Sequence, residues 1–408
     1  MLARTANQMM QLTLVLFVLL RYHSPALAGI TLFLAIAPGI AMSPVAGALL
    51  DRHGRIRLIT LDYLVGAATL VLIAGLDAAG RLSPLELLPI VAVGSLTYSL
   101  SNSGARTLVP LIVPHRLWDR ANALDSIAYS VTIGAGPALA GVLTAWSGPR
   151  LALLATAGVF VAAALLIAGL HEPTTTATPM RPVLVEAWAG LRYVLSWNAS
   201  LRGIALVVSL MNVGLGILLI AVPVLVLERL HGNAAIVGEL WALYGLASIP
   251  SALLFGRVNS QGRERLMMGL STVAAGLGVA LLAVTGSILM AAVPLLIAGL
   301  ANGPLDVAMF SLRQRRTDPA WFGRAFAVSM GLNWGGTPIG SALSGPLIHL
   351  GLPVAFIVAA ALIILAGILI RWVVPAEHVG KIGGESARQS RRDLPVEESP
   401  SSAEQGAG

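Results

Sequence analysis

The sequence predicts an all-α protein that crosses a membrane many times. Of its 408 residues, 56% are hydrophobic and only 11% are charged, whereas a soluble domain carries about 25% charged residues. The charges fall in short segments between apolar runs, most of which reach the ~20 residues that a membrane-spanning helix needs. These runs are continuous, which excludes a membrane β-barrel because barrel strands alternate between apolar and polar residues.

The apolar runs give twelve candidate spans in two sets of six. They cover residues 5–20, 26–50, 56–76, 85–109, 120–145, 150–170, 200–227, 234–256, 266–284, 288–311, 322–348 and 353–374. We therefore predict an N-terminal six-helix bundle over residues 1–170 and a C-terminal six-helix bundle over 200–375. Residues 171–199 form a cytoplasmic linker that begins with a polar Pro/Thr stretch. Residues 376–408 have the composition of a disordered tail.

The second part of the linker has a helical pattern. After Pro182 the apolar residues Leu184, Trp188, Leu191 and Leu195 recur at helical spacing. This pattern predicts a short amphipathic helix that lies at the membrane surface. The alternative is that the segment is the start of the seventh span.

Arginine residues are unevenly distributed between alternate connections. One set holds Arg52, Arg55, Arg57, Arg116, Arg181, Arg192, Arg257, Arg263, Arg265, Arg313, Arg315 and Arg316; the other holds Arg21, Arg81, Arg150 and Arg229. Because basic loops stay in the cytoplasm, we expect the first set and both termini on the cytoplasmic side of the cell (inner) membrane. The net charge of +7 reflects this orientation, and no nucleic-acid partner is expected.

Several classes of protein are excluded by composition. The chain has no cysteine, so it has no disulfide and no thiolate metal site. Lys381 is the only lysine, so the phosphate-binding loop of an ATP-driven motor is absent. The seven histidines are scattered without metal-ligand spacing. We expect no metal, no cofactor and no enzyme activity.

The first span is unusually short, since only sixteen residues separate Arg4 from Arg21. We expect a transport helix whose beginning is missing, either because the true start lies upstream of Met1 or because the copy is truncated. The alternative is a signal peptide with Ala26-Leu27-Ala28 as its cleavage-like site.

A charged turn separates the second and third spans. It reads Gly47-Ala-Leu-Leu-Asp51-Arg52-His53-Gly54-Arg55-Ile56-Arg57 and resembles the signature loop of major facilitator superfamily transporters. The resemblance implies twelve helices in two six-helix bundles. It also implies a conformational latch made by Asp51, Arg52 and Arg55, with Gly47 allowing close packing and Gly54 making the turn. The alternative is a loop that only fixes topology.

Further segments resemble one branch of that superfamily, the bacterial exporters of drugs, siderophore precursors and macrolides. These segments are Arg106–Pro114 followed by Arg120–Leu124, then Glu186–Tyr193, and the start of span eleven at Gly323-Arg324. The residues Gly134, Gly136, Pro137 and Gly141 resemble the Gly-Pro motif of helix five in antiporters. The loop Gly256–Arg265 resembles a degenerate partner of the 47–57 turn that keeps glycines and arginines but lacks the aspartate, as two related halves would have.

Charged residues within the spans are candidates for coupling, because a charge at the bilayer centre costs about 2.5–3.5 kcal/mol. The coupling candidates are Asp62, Arg106, Asp125 and Asp306. Proton-linked switching and static ion pairing are both open for the Arg106–Asp125 pair. The polar residues that could line a central cavity are Asn122, Tyr129, Asn212, Tyr244, Asn302, Asn333 and Trp334. Each could instead make an interhelical hydrogen bond worth ~1 kcal/mol.

Together these features predict a secondary active transporter, monomeric in the lipid bilayer, that works by alternating access. Its partners would be a hydrophobic or amphipathic small molecule, exported in exchange for protons. The alternatives are an importer or facilitator of a small metabolite, or a transporter-like membrane sensor or scaffold that does not transport.

Overall fold

The computed structural model describes residues 1–102, 104, 118–170, 183–258, 260–318 and 321–376. These residues contain helices and no strand, which confirms the predicted all-α class. Eight of the helices are long and apolar enough to cross a membrane, and two further apolar helices are shorter, at Pro25–Ala41 and Val131–Ser147. The protein is therefore a multi-pass membrane protein.

The helices before the linker are numbered α1 to α7. They are α1 (Leu2–Tyr22), α2 (Pro25–Ala41), α3 (Ser43–His53), α4 (Arg55–Ala78), α5 (Pro84–Ser95), α6 (Trp118–Ser147) and α7 (Pro149–Ala168). Helix α1 packs on α2, α6 and α7, while α4 packs on α7 and α5 packs on α2. The first span is thus slightly longer than predicted, because the helix begins at Leu2 and continues through Arg21 to Tyr22.

The remaining helices are numbered α8 to α15. They are α8 (Val183–Arg192), α9 (Ala199–Val224), α10 (Ala234–Gly256), α11 (Glu264–Leu281), α12 (Ile288–Arg315), α13 (Phe322–Trp334), α14 (Gly336–Leu350) and α15 (Leu352–Val373). Helix α8 continues through a π turn to Trp197 and stops at Asn198, whose side chain caps α9 by accepting a hydrogen bond from Leu201 N. The amphipathic segment is therefore a helix separate from the seventh span.

Two predicted spans are each divided near a proline in the structure, and a third, 85–109, has a turn at residues 96–97 after α5. We expected unbroken helices over 26–50 and 322–348, but the chain is interrupted at Met42 and at Gly335. The cause is a proline two to three residues after each break: Pro44 and Pro338 have no N–H to donate to the carbonyl four residues earlier. Each span therefore consists of two shorter helices.

The two halves meet near one end of the helix bundle. We call it the arginine-poor end, because the connections there carry few arginines. It is the end at which α1 stops (Tyr22), α2 begins (Pro25), α6 stops (Ser147) and α10 begins (Ala234). One buried apolar cluster joins Met9, Leu12 and Leu16 of α1 to Ile217, Leu218 and Ala221 of α9. Helix α6 also packs on α10, and α2 packs on α14. These contacts close the arginine-poor end with apolar side chains.

Candidate functional site

Glycines make the contact between α6 of the first half and α10 of the second half. A β-carbon built on Gly141 would lie 2.8 Å from Gly238 Cα, and one built on Gly245 would lie 2.6 Å from Gly134 Cα. Real β-carbons do not approach backbone atoms so closely. The two helices can therefore touch as closely as they do only because Gly141, Gly238 and Gly245 have no side chain.

The other two residues of the helix-five motif lie in the same region. Gly136 faces α1, where an added β-carbon would lie 3.2 Å from the Thr5 carbonyl oxygen. The carbonyl oxygen of Pro137 faces Gly238, at 2.6 Å from a β-carbon built there. The motif thus packs α6 tightly against both α1 and α10.

Helices α2 and α14 form a second contact of the same kind. A β-carbon built on Gly29 would lie 2.7 Å from Ser344 Oγ, and one built on Gly345 would lie 2.7 Å from Ala26 Cβ. Ser341 and Ser344 are fully buried here. Two pairs of helices, one helix from each half, therefore meet through small residues at the arginine-poor end.

The 47–57 turn lies between α3, which ends at His53, and α4, which begins at Arg55. Gly54 has a φ of 86°, a conformation that L side chains rarely adopt. Arg52 is exposed and Arg55 is half-buried, whereas the surroundings of Gly47 and the side chain of Asp51 lie outside the described residues. Helix α3 packs on the amphipathic helix α8, which in turn packs on α13. The turn is thus connected to the second half through α8.

Asp62 is buried inside the first half, with 7% of its surface exposed. The hydroxyl groups of Ser101 and Thr97 lie near its carboxylate, and they donate to the carbonyl oxygens of Tyr98 and Gly94. Asp62 also lines a cavity of about 30 Å³ that extends to Asn7 and Tyr98. Such a cavity has room for about one water molecule.

Three predicted residues come together in the second half. Asn302 Nδ2 donates a hydrogen bond to Asp306 Oδ2 (3.0 Å) within α12, and Tyr244 of α10 interacts electrostatically with Asp306. The Tyr244 ring also meets Trp241 edge to face, with centroids 5.9 Å apart. Asp306 therefore lies in a polar group where α10 and α12 pack together.

A second predicted pair lies where α9 meets α13. Asn212 and Asn333 are both buried, and Asn212 Nδ2 donates a hydrogen bond to the Asn333 carbonyl oxygen (2.8 Å). The neighbouring Trp334 is 36% exposed. These asparagines make an interhelical hydrogen bond, which was one of the two roles considered for them.

In addition to Gly47 and Asp51, four predicted residues lie wholly or by their side chains outside the part of the chain that the structure describes. Arg106 lies outside the described residues, and so do the side chains of Asn122, Asp125 and Tyr129 on α6. The proposed Arg106–Asp125 ion pair is therefore not described by the structure.

The prediction for Arg313 was wrong. We placed it in a connection between spans, but α12 continues to Arg315, and Arg313 is 1% exposed. It is the largest fully buried side chain of the described residues. Its neighbours Met330 and Asn333 on α13 supply polar atoms to the guanidinium, which explains how a charge can lie inside the bundle.

The sequence reasoning also missed a cluster of charges at the arginine-poor end. Asp77 of α4 is buried and pairs with Arg21 of α1 (Nε to Oδ1, 2.9 Å). It also pairs with Arg150 of α7 (Nη2 to Oδ2, 2.8 Å). These residues are 56 and 73 positions from Asp77, so no local pattern indicates the cluster. It joins three helices of the first half.

In the second half, an ion pair joins α11 and α12. Arg315 Nη1 contacts Glu264 Oε1, and Glu264 is 4% exposed. Among the described residues, no group of three or more His, Asp or Glu side chains could hold a metal ion. The site as described consists of helix contacts, ion pairs near the helix ends and buried polar groups between the helices.

A family model matches most of the chain. The model described as "Transmembrane secretion effector" (MFS_3) covers residues 18–392. The chain is also 37% identical over 369 residues to an uncharacterised MFS-type transporter of Sinorhizobium fredii, covering 90% of this chain and 91% of that protein. It is 27% identical over 337 residues to the enterobactin exporter EntS of Citrobacter koseri, covering 82% and 79% of the two chains.

Solved structures share the fold at low identity. The nucleoside transporter NupG aligns with a TM-score of 0.69 and 14% identity, covering 91% of this chain and all of that chain. A transporter of the POT family aligns with a TM-score of 0.68 and 13% identity, covering 91% and 93%. These similarities are to the overall helix arrangement.

Proposed function

Because this chain belongs to the transmembrane secretion effector family of major facilitator transporters, we propose that it exports a hydrophobic or amphipathic small molecule by alternating access. Protons drive the export by moving in the opposite direction. The substrate and protons are the partners that this function requires, and the chain acts as a monomer in the bilayer.

The observation that carries this proposal is the pair of small-residue contacts between the halves. Gly134 and Gly141 pack on α10, and Gly29 packs on α14, without interlocking large side chains. Helices that meet through small residues gain stability from close van der Waals packing, and a modest displacement removes that packing. Such contacts suit a surface that must separate and close again in each transport cycle.

The relatives support export as the direction. Two relatives that are named as enterobactin exporters align with about four-fifths of this chain, at 26–27% identity. This level of identity supports efflux as the class of function, but it does not indicate that this chain exports enterobactin. The mostly apolar helices are consistent with a hydrophobic or amphipathic substrate.

Orientation follows from the distribution of arginine. We place the arginine-poor end outside and both termini in the cytoplasm, because basic connections remain inside. The bundles over residues 1–170 and 200–375 then move about a site between them, with the protein in the inner membrane. In this orientation the structure corresponds to a state closed toward the outside.

Among the predicted coupling residues, Asp62 and Asp306 are the two carboxyl groups that the structure describes, and they are our candidates for proton coupling. Asp62 lies in the first half beside the hydroxyl groups of Ser101 and Thr97, and Asp306 lies in the second half, where it accepts a hydrogen bond from Asn302. Binding of a proton removes a charge from an apolar surrounding, where a charge is costly. Protonation of either carboxyl group therefore shifts the protein toward the conformation of the transport cycle in which that group is more deeply buried.

Inverted membrane vesicles test the function directly. The lumen is acidified, a pH-sensitive dye reports its pH, and catechol siderophores, macrolides and lipophilic dyes are added in turn. We expect at least one class to release protons from the lumen in vesicles that contain the protein and not in empty vesicles. Asp306→Asn should reduce this release. A well-folded protein that releases no protons with any class, yet equilibrates a substrate without a gradient, would contradict proton-coupled export and indicate a facilitator.

A further inference from the structure

One face of the segment that leads into α9 is not covered by the rest of the bundle. We call residues 183–197, which comprise α8 and its π turn, the α8 segment. Trp188, Arg192 and Leu195 follow one another at spacings of four and three residues, which places them on one side of a helix. All three are exposed, and so is Trp197 at the end of the segment. The α8 segment thus presents a surface of apolar and basic side chains.

The other side of the α8 segment is fixed to the second half. Tyr193 is buried, its ring stacks on Trp321, and its hydroxyl oxygen accepts a hydrogen bond from Asp318 N (3.2 Å). Asn198, which follows the segment, donates from Nδ2 to the Arg316 carbonyl oxygen (2.7 Å). These contacts determine the direction in which the exposed face points.

The start of α9 sets the depth of this face in the membrane. The helix that begins at Ala199 is one of the eight candidate spans, and Arg202 and Leu206 are exposed on its first two turns. Leu206 lies about 10 Å along the axis from Ala199. An exposed leucine on a membrane-spanning helix faces the lipid tails. Arg202, one turn earlier, and the adjoining α8 segment therefore lie at the level of the lipid headgroups.

The end of α15 has the same composition at this level. It packs against the start of α9, where a β-carbon built on Gly203 would lie 2.6 Å from the Val373 carbonyl oxygen. Arg371 and Trp372, just before Val373, are both exposed. Tryptophan is enriched where the lipid tails meet the headgroups, and arginine can lay its apolar stem along the tails with its charge in the headgroup layer. The exposed tryptophans of the α8 segment and of α15 thus mark one membrane interface.

The arginines beside the α8 segment are oriented by neutral groups. The Arg192 guanidinium lies 5.3 Å from the centre of the Trp197 ring. Arg202 Nη1 donates a hydrogen bond to the Leu195 carbonyl oxygen (2.9 Å). The ion pairs of the described residues involve other arginines. Both guanidinium groups therefore keep N–H donors for a ligand, and the fork of these donors matches the oxygens of a phosphate group.

We propose that the α8 segment binds the headgroup of an anionic phospholipid, with Arg192 and Arg202 on its phosphate and with Trp188 and Trp197 against the upper part of its acyl chains. An anionic lipid is favoured over a zwitterionic one, because the two guanidinium groups attract net negative charge at the membrane surface. A lipid is favoured over a dissolved anion, because the surface continues into the face of α9 that carries Leu206. Binding of this lipid does not depend on transport.

Fluorescence quenching by brominated lipid tests the site. The full-length protein is reconstituted in vesicles of phosphatidylcholine mixed with increasing amounts of phosphatidylglycerol whose acyl chains carry bromine, which quenches tryptophans that it contacts. We expect the wild-type protein to prefer phosphatidylglycerol, and Arg192→Gln and Arg202→Gln each to reduce this preference by about fivefold. Arg192→Lys keeps the charge and should retain most of the preference. Arg257→Gln, at an exposed arginine outside this surface, is the matched control and should leave it unchanged.

Two further variants show where the lipid binds. Trp188→Phe and Trp197→Phe together remove the tryptophans of the α8 segment that report contact, and we expect most of the preferential quenching to disappear with them. If it persists, the anionic lipid binds elsewhere and the site is wrong. An equal preference for phosphatidylglycerol in the wild-type protein and in the variant with both Arg192→Gln and Arg202→Gln would also overturn the proposal.

The same vesicles distinguish the other possible occupants. We expect inorganic phosphate, added at the concentration of the brominated lipid, to leave the quenching unchanged. Displacement of the lipid by inorganic phosphate would assign the arginines to a dissolved anion. With brominated phosphatidylcholine alone, we expect Trp188 and Trp197 to be quenched. If they are shielded and the protein is a dimer, the surface is covered by a second copy of the chain, which would overturn the assignment to lipid.

Discussion

Gly238 of α10 lies directly against Pro137 of α6, so that a β-carbon built on Gly238 would be 2.6 Å from the Pro137 carbonyl oxygen. The next nearest atoms to this β-carbon also belong to the backbone: the Ala138 carbonyl oxygen and Gly141 Cα, each at 3.1 Å. Backbone cannot yield as a flexible side chain does. The contact between the two halves therefore depends on the absence of a side chain at this position.

The first prediction concerns this contact. Gly238→Ala should force α6 and α10 apart at a cost of about 1–3 kcal/mol, as overpacking does in other proteins. Export should fall by about tenfold, since ~1.4 kcal/mol corresponds to a factor of ten. Gly158→Ala is the control, because an added β-carbon there meets nothing within 4 Å. Equal transport by the two variants at equal expression would contradict this role of the contact.

The charge cluster at Asp77 gives a prediction about stability. Asp77→Asn removes the buried charge that Arg21 and Arg150 share, and we expect a loss of about 1–2 kcal/mol. This is lower than for a fully buried pair, because the two arginine side chains are about half exposed and screened by solvent. The measurement is thermal unfolding in detergent. Arg81→Gln, at an exposed arginine, should leave the midpoint unchanged, and an equal midpoint for Asp77→Asn would refute the assignment.

Asp62 gives a prediction about coupling in the first half. Asp62→Asn keeps the size and polarity of the side chain, but it cannot bind and release a proton. We expect proton-driven export to fall by about tenfold while gradient-free exchange of the substrate continues. Glu86→Gln changes an exposed acid and serves as the control. Full proton-driven export by Asp62→Asn would remove Asp62 from the coupling mechanism.

Trp321 gives a prediction about the connection between the linker and α13. Its ring stacks on Tyr193, with centroids 4.9 Å apart and planes at 6°, and meets Trp197 edge to face. Trp321→Ala should lower the thermal midpoint, because such ring pairs add about 0.5–1.5 kcal/mol each beyond the area they bury. Trp188→Ala alters a tryptophan that is 67% exposed and should have a smaller effect. If Trp188→Ala lowered the thermal midpoint more than Trp321→Ala, the stacked rings would not be what holds α8 in place.

Much of the fold could be predicted from the sequence, because apolar length is a direct physical requirement of a membrane-spanning helix. The predicted spans at 56–76, 150–170 and 353–374 correspond closely to α4, α7 and α15. The breaks at Met42 and Gly335 were missed, although Pro44 and Pro338 were visible signals. A proline is common within membrane helices, so its presence alone does not indicate whether a helix bends or stops.

The site was less predictable, because it depends on which helix faces which. Asp306 was identified from its apolar surroundings, and its partner Asn302 lies one turn away on the same helix. Arg313 was placed in a loop because it stands beside Arg315 and Arg316, where a basic cluster usually marks a connection. Its spacing from Asn302, Asp306 and Met309 was the available signal. The partners of Asp77 lie on other helices and could not be found by any local pattern.

The most direct test of alternating access is a reversible cross-link at the α2–α14 contact. The chain has no cysteine, so Ala26→Cys/Gly345→Cys introduces the only thiols. A β-carbon built on Gly345 lies 2.7 Å from Ala26 Cβ, so a separation of about 1 Å reaches the ~3.8 Å of a disulfide. The single-cysteine variants show whether either substitution alone is tolerated. We predict that oxidation abolishes export only in the double variant and that a reductant restores it. Export at the normal rate by the cross-linked protein would contradict alternating access through this contact.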